Sequence, residues 1–171
     1  TLQMSTHVWT DARSGSVGQV AGNLVLDRIA KKLPRHERKL VHEKGTIFST
    51  SKRVIVGRVC ASDEYLPKDV VHFCNMSESQ TETITQINKQ SYFLFITVSS
   101  DVVHYWMVPG SIVAQTVARL EPKPSATACF LRIYHREGRY ILSDTADITS
   151  FHDQVTYNRA SSVAQNSSCS L

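Results

Sequence analysis

The sequence predicts an α/β or α+β domain, with a central mixed β-sheet flanked by helices. Three observations lead there. Residues 16–33 carry apolar side chains at helical spacing. Two runs, 46–60 and 91–109, are rich in Val, Ile, Phe, Tyr and Thr, the composition of strands. Between and after them lie helix-start and turn signals rather than continuous strand texture.

In the first helix Val17, Val20, Ala21, Leu24, Val25, Ile29 and Leu33 form one apolar face. Ser14 or Ser16 is placed to cap its free N–H groups, Lys31 and Lys32 complement its C-terminal dipole, and Pro34 stops it. Residues 35–45 read as a basic connector containing at most one helical turn. A hairpin follows, with arms at 46–50 and 52–60 and a turn near Ser51-Lys52. Both phases of its second arm are largely apolar, as in a strand covered on two faces.

Residues 70–75 read as a short strand, and 77–90 as a helix opened by a capping box, Ser79-x-x-Glu82. Two strands joined by Ser-Ser-Asp occupy 91–98 and 102–108. Pro109-Gly110 ends the second, and Ser111 is placed to cap a helix over 112–120. Residues 121–125, EPKPS, form a stiff linker. A last hairpin over 128–143 turns at Arg136-Glu137-Gly138. A single domain is expected over residues 1–160, with a polar C-terminal tail at 161–171.

The chain has 171 residues, 42% of them apolar and 20% charged, enough to bury a core and too apolar for wholesale disorder. No apolar run reaches the length of a membrane span, and the first residues carry no secretory-signal pattern. Cys60, Cys74, Cys129 and Cys169 are irregularly spaced, which argues for reduced thiols in a cytoplasmic or other intracellular compartment.

Charge is unevenly distributed. Between Arg28 and Arg58 ten Lys/Arg stand against Glu37 and Glu43, a net of +8. The remaining nine basic and thirteen acidic residues net −4, so the whole positive excess of the +4 chain lies in one stretch. Such a basic patch is the electrostatic footprint of a polyanion partner. Its candidate phosphate contacts are Lys31, Lys32, Arg35, Arg38, Lys39, Lys52, Arg53 and Arg58.

Other chemistry is thinly represented. His7, His36, His42, His72, His104, His135 and His152 do not fall at metal-ligand spacing, and no serine-hydrolase elbow, zinc-protease helix or phosphate loop is present. Trp106, inside an apolar strand, reads as core, and Cys60 as a buried, inert thiol.

The segments KRVIVGRVCAS, QIN and YFLFITVSSDVVHYWMVP, in that order, resemble restriction-endonuclease-like proteins of the PD-(D/E)xK group. The resemblance spans roughly residues 14–118 and rests on element order and hydrophobic texture. It implies a nuclease-like sheet whose second hairpin strand carries a Glu-x-Lys pair. With RVCAS in that place, Arg58 stands at the Glu and Cys60 at the Lys, while Thr46 or a neighbour stands at the Asp. The preceding helix, a frequent source of a further Glu, offers Gln19, Asn23 and Asp27. Arg58 repels a divalent cation and Cys60 is no ammonium, so this register gives a pseudo-active site without catalytic metal.

Three functions fit these features. One is nucleic-acid binding, duplex DNA foremost, by a nuclease-like domain lacking cleavage. Another is a Mg²⁺-dependent endonuclease, a phosphodiester hydrolase, with a displaced site drawing on Asp27, Asp63 and Glu64. The third is a non-enzymatic assembly subunit that offers a sheet edge to a protein partner or a second copy of itself.

Overall fold

A computed structural model describes residues 15–60, 66–85, 89–120 and 129–156. Helix α1 (Gly15–Lys32) leads through a 3-10 turn (Arg35–Glu37) to strands β1 (Val41–Lys44), β2 (Ile47–Ser49) and β3 (Arg53–Cys60). Then come β4 (Val70–Met76), α2 (Glu78–Thr85), β5 (Gln90–Ser99), β6 (Val102–Pro109) and α3 (Gly110–Ala118). The described residues end with β7 (Cys129–Arg136), β8 (Arg139–Leu142), β9 (Ala146–Asp147), a second 3-10 turn (Thr149–Phe151) and β10 (His152–Thr156).

The architecture is α+β. Six strands form a mixed sheet in the order β1-β2-β3-β5-β6-β10, and four form a second sheet in the order β4-β7-β8-β9. Within the larger sheet only β3 and β5 run parallel, from Arg53↔Gln90 to Cys60↔Thr97, and the other pairs are antiparallel. A parallel pair needs a crossover. Here the intervening chain contributes β4 to the other sheet and packs α2 against β3 and β5.

Each face of the large sheet has its own core. On one, Ala21, Val25, Leu26 and Ile29 of α1 meet Phe48, Ile55, Leu94, Ile96, Val103 and Tyr105. On the other, Val56, Phe93, Phe95, Trp106 and Val108 meet Ile84 of α2, Val113 of α3 and Leu131, Ile133 and Leu142 of the second sheet. Strand β5 is therefore buried on both sides from Phe93 to Val98. That is why its sequence shows no polar alternation. No helix among the described residues is long and apolar enough to cross a membrane.

Several expectations are corrected. The 35–45 connector contains strand β1, not only a turn. Residues 70–76 and 129–142 lie in a second sheet instead of extending the central one. The edge strand β10, without a sequence counterpart, completes the large sheet beside β6. The capping box also sits two residues earlier than expected. Ser77 Oγ accepts from the Gln80 N–H at 3.3 Å, and Gln80 Oε1 accepts from the Ser77 N–H at 3.0 Å. At α3 the cap position is Pro109, without a side-chain bond, so Ser111 does not cap. The hairpin turn at Glu137-Gly138 is as expected, with φ of 52° and 75° at the two residues. Residues 121–125, the tail and the Ser14 cap lie outside the described residues.

The start of α3 is tightly fitted. Ser91 Oγ donates to the Ile84 carbonyl at 2.5 Å, joining the end of α2 to β5 directly beside Gly110. A Cβ at Gly110 would overlap Ser91 Oγ and come within 2.8 Å of the Ile84 carbonyl oxygen. Gly110→Ala is expected to cost about 2 kcal/mol or more in urea denaturation, because backbone and not only a side chain must yield. Ser77→Ala is expected to cost about 1 kcal/mol and Ser79→Ala only a few tenths, the reverse of what the sequence pattern implies.

Candidate nucleic-acid interface and the pocket between the sheets

A cluster of cations sits where β3 and β5 begin. Pro34 turns the chain out of α1, and the following 3-10 turn buries Glu37, which is 3% exposed. Its carboxylate accepts from Arg53 Nη1 at 2.5 Å and from Thr50 Oγ1 at 3.2 Å. Thr50 Oγ1 in turn accepts the backbone N–H groups of Lys52 and Arg53, and Lys89 Nζ donates to the Thr50 carbonyl at 2.9 Å. The Lys52 carbonyl accepts from the Gln90 N–H. The β2–β3 turn is thus clamped between the 3-10 turn and the start of β5. A buried carboxylate requires such partners, and here Arg53 neutralises it.

The clamp leaves an open cleft of about 620 Å³ walled by His36, Glu37, Lys52, Arg53, Lys89 and Gln90 with Pro34 and Ser51. Arg35 is exposed in the adjoining 3-10 turn. The eight cations singled out in the sequence do not share one surface. Lys52, Arg53 and Arg35 gather at this end. Lys31 is exposed in the last turn of α1, and Lys39 is exposed just before β1. Arg38 Nε donates to the Leu33 carbonyl at the end of α1.

Lys32 is engaged elsewhere. Its Nζ donates to Asp153 Oδ2 at 2.5 Å, Tyr105 OH donates to the same oxygen at 2.9 Å, and Arg28 Nε lies 3.7 Å away. The Lys32 hydrogen bond, more than any other contact, holds the Asp153 carboxyl far below the usual carboxylate range. This network ties β10 to α1 across β6.

Arg58 lies five residues along β3 from Arg53, about 17 Å at strand rise, and odd spacing puts it on the opposite face. It faces the second sheet, where its charge adds to the larger lowering effect of burial on the His72 pKa and opposes the larger raising effect of burial on the Cys74 pKa. Cys60 shares that face and is part-buried. Thr46 is buried in the turn before β2, its carbonyl accepting from the Gly57 N–H. Gln19, Asn23 and Asp27 lie on α1, and Asp63 and Glu64 lie outside the described residues. Among the described residues no group of three or more His, Cys, Asp or Glu is arranged to hold a metal ion.

The cleft includes Lys89, which sequence reasoning missed. Its distance along the chain from Lys52 is bridged only by the parallel pairing that sets Arg53 opposite Gln90, and nothing local signals it.

At the other end of the same two strands, between the sheets, lies a pocket of about 390 Å³. Its walls include Thr97, His104, Trp106, His135 and Tyr140, with Lys68 at the rim. His135 and Tyr140 stack at 4.5 Å and 16°, and Tyr140 meets Trp106 edge-on at 5.1 Å. Behind them His104 Nδ1 and His152 Nε2 are 2.9 Å apart. Burial first, and neighbouring imidazole charge second, lower the pKa of both histidines.

His72 is wholly buried beside the pocket, its Nδ1 3.0 Å from Thr97 Oγ1. Since Thr97 Oγ1 donates to the Val71 carbonyl at 2.8 Å, it accepts from His72, which fixes the Nδ1–H tautomer. Burial pushes the His72 pKa down to about 3, and Arg58 adds to it.

No family model, curated protein or solved structure matches this chain.

Because the pKa values of His72, His104 and His152 are lower in the fold than in the unfolded chain, the unfolded chain binds more protons as pH falls through the ordinary histidine range. Stability is therefore expected to fall as pH drops from 7.5 to 5, with about 2 kcal/mol traceable to His72 alone. The Asp153 contribution is present above the ordinary carboxylate range and is lost only at more acidic pH. Chemical denaturation across pH 5–7.5 checks this. His72→Gln should be less stable at pH 7.5 and show a flatter profile.

Proposed function

We propose that this chain binds nucleic acid, duplex DNA foremost, through the cationic end of its large sheet, as a nuclease-like domain that does not cleave. The observation that carries the proposal is the convergence of Lys52, Arg53 and Lys89 around one open cleft, with His36 and Arg35 beside it. Lys52 and Arg35 project into solvent, and Lys89 and Arg53 are steadied by the Thr50 and Glu37 contacts. Held side chains lose less freedom when they meet a phosphate. Contacts of this kind position a duplex and carry no sequence information of their own.

The order of elements supports the nuclease-like part. A helix, antiparallel strands, a packed crossover helix and a strand parallel to the hairpin follow one another as in the resemblance to the restriction-endonuclease-like group. The absence of cleavage is argued from Arg58 and Cys60 at the Glu-x-Lys positions, where a guanidinium disfavours Mg²⁺.

Fluorescence anisotropy with a short labelled duplex tests this. Affinity is expected to fall with salt, with a log–log slope of about −3 to −4 for four phosphate contacts. The double substitution Arg35→Ala with Lys52→Ala should reduce that slope by about 2. Binding that ignores salt, or no binding at low salt, overturns the proposal and favours an assembly role. Plasmid cutting with Mg²⁺ or Mn²⁺ would instead favour the endonuclease with carboxylates placed elsewhere.

A further inference from the structure

The pocket between the sheets has a different chemistry from the cationic cleft and lies away from it. Gln90, opposite Arg53, lines the cleft, whereas Thr97, opposite Cys60, lines the pocket. The two sites are separated by seven residues of strand, about 23 Å. The pocket opens where the parallel strands β3 and β5 end, the side on which open sheets with parallel strands commonly bind ligands.

We propose that this pocket binds a planar heteroaromatic ring carrying an anionic group, the chemistry of a single nucleotide. Three features select that class. The stacked His135–Tyr140 pair and the edge-on Trp106 give the pocket flat aromatic walls, which favour a π-faced ligand over an aliphatic one. Trp106 is 1% exposed, and its indole N–H has no acceptor among the described residues. An unsatisfied buried donor is costly, and because the indole nitrogen itself is closed to solvent, a ring nitrogen or carbonyl oxygen of the ligand reaches it through a small shift of the pocket wall.

Lys68, exposed at the rim, supplies a cation for the anionic group while the ring lies inside. The pocket falls in the size range of small-molecule sites, roughly 300–1,000 Å³. A metal is a poor fit, because His104 Nδ1 is engaged with His152 and no ligand cluster is present among the described residues.

The proposal does not rest on duplex binding at the cleft. The nucleotide comes either free or as an unpaired residue of a strand, and the experiment separates these sources. In a ¹⁵N-labelled full chain the Trp106 indole N–H resonance is identified by comparison with Trp9→Phe. It is followed while AMP, GMP, CMP, UMP, inorganic phosphate or a short single-stranded oligonucleotide is added.

A saturable shift with at least one mononucleotide is expected, with little effect from phosphate alone. A shift from the oligonucleotide only would assign the ligand to a strand. Tyr140→Leu should weaken binding about tenfold or more by dismantling the aromatic wall that Tyr140 holds together with His135, His152 and Trp106. Lys68→Ala, at an exposed position that leaves the fold intact, should weaken it severalfold. Arg35→Ala with Lys52→Ala should leave the shift unchanged, so failure of the cleft and failure of the pocket are told apart. The proposal is overturned by an unmoved Trp106 resonance with every nucleotide probe, by the full shift with phosphate alone, or by a shift that neither Tyr140→Leu nor Lys68→Ala alters.

Discussion

Everything in this fold depends on burying strand β5 from both sides. Phe93, Phe95 and Thr97 point to the second sheet, and Leu94, Ile96 and Val98 to α1, with none of the six more than slightly exposed. A strand so apolar is unstable on any surface, since each such side chain gains about 1.5–3 kcal/mol from complete burial. The large sheet must therefore be covered twice, and α1 cannot do both. The second sheet, with α2 and α3, supplies the other cover.

That double cover creates the places where chemistry gathers. Side chains pack tightly along the middle of β3 and β5, and the layers part at the strand ends. At the starting end, the 3-10 turn sinks Glu37 beside the β2–β3 turn, and the buried carboxylate organises Arg53 and Thr50 around itself. At the finishing end, the second sheet stands off far enough for aromatic residues of both sheets to face a shared space. The positive charge of the chain is divided by the same geometry. Lys32 closes β10 against α1 through Asp153, Arg58 turns inward towards His72, and the cations near Lys52 remain facing solvent.

Much of the frame was legible from local pattern. The i, i+3, i+4 spacing from Val17 to Leu33 marked α1, although Leu26, left off the expected face, is fully buried in it. The β-branched and aromatic run near Phe95 marked the central strand, and Pro109-Gly110 marked the passage from β6 to α3. The candidate site was legible only in part. Lys52 and Arg53 stand in the basic stretch, but Lys89 joins them through a parallel pairing. The histidines illustrate the same limit. His104 and His152 are 48 residues apart and meet at 2.9 Å only because β10 returns to the edge of β6.

The amino-acid sequence by itself determined the three helices and the longer strands, though not β1 or β10, and that positive charge is concentrated between residues 28 and 58. Those properties follow from side-chain spacing and ionisation, which need no long-range contact. Only the tertiary structure decided that the strands divide between two sheets, and that Arg53 and Arg58 serve opposite faces and ends. It also decided that Trp106 and Tyr140 wall one pocket. Strand order and register are set by cross-chain hydrogen bonding and by the burial of both faces of β5, and no local window of sequence contains them.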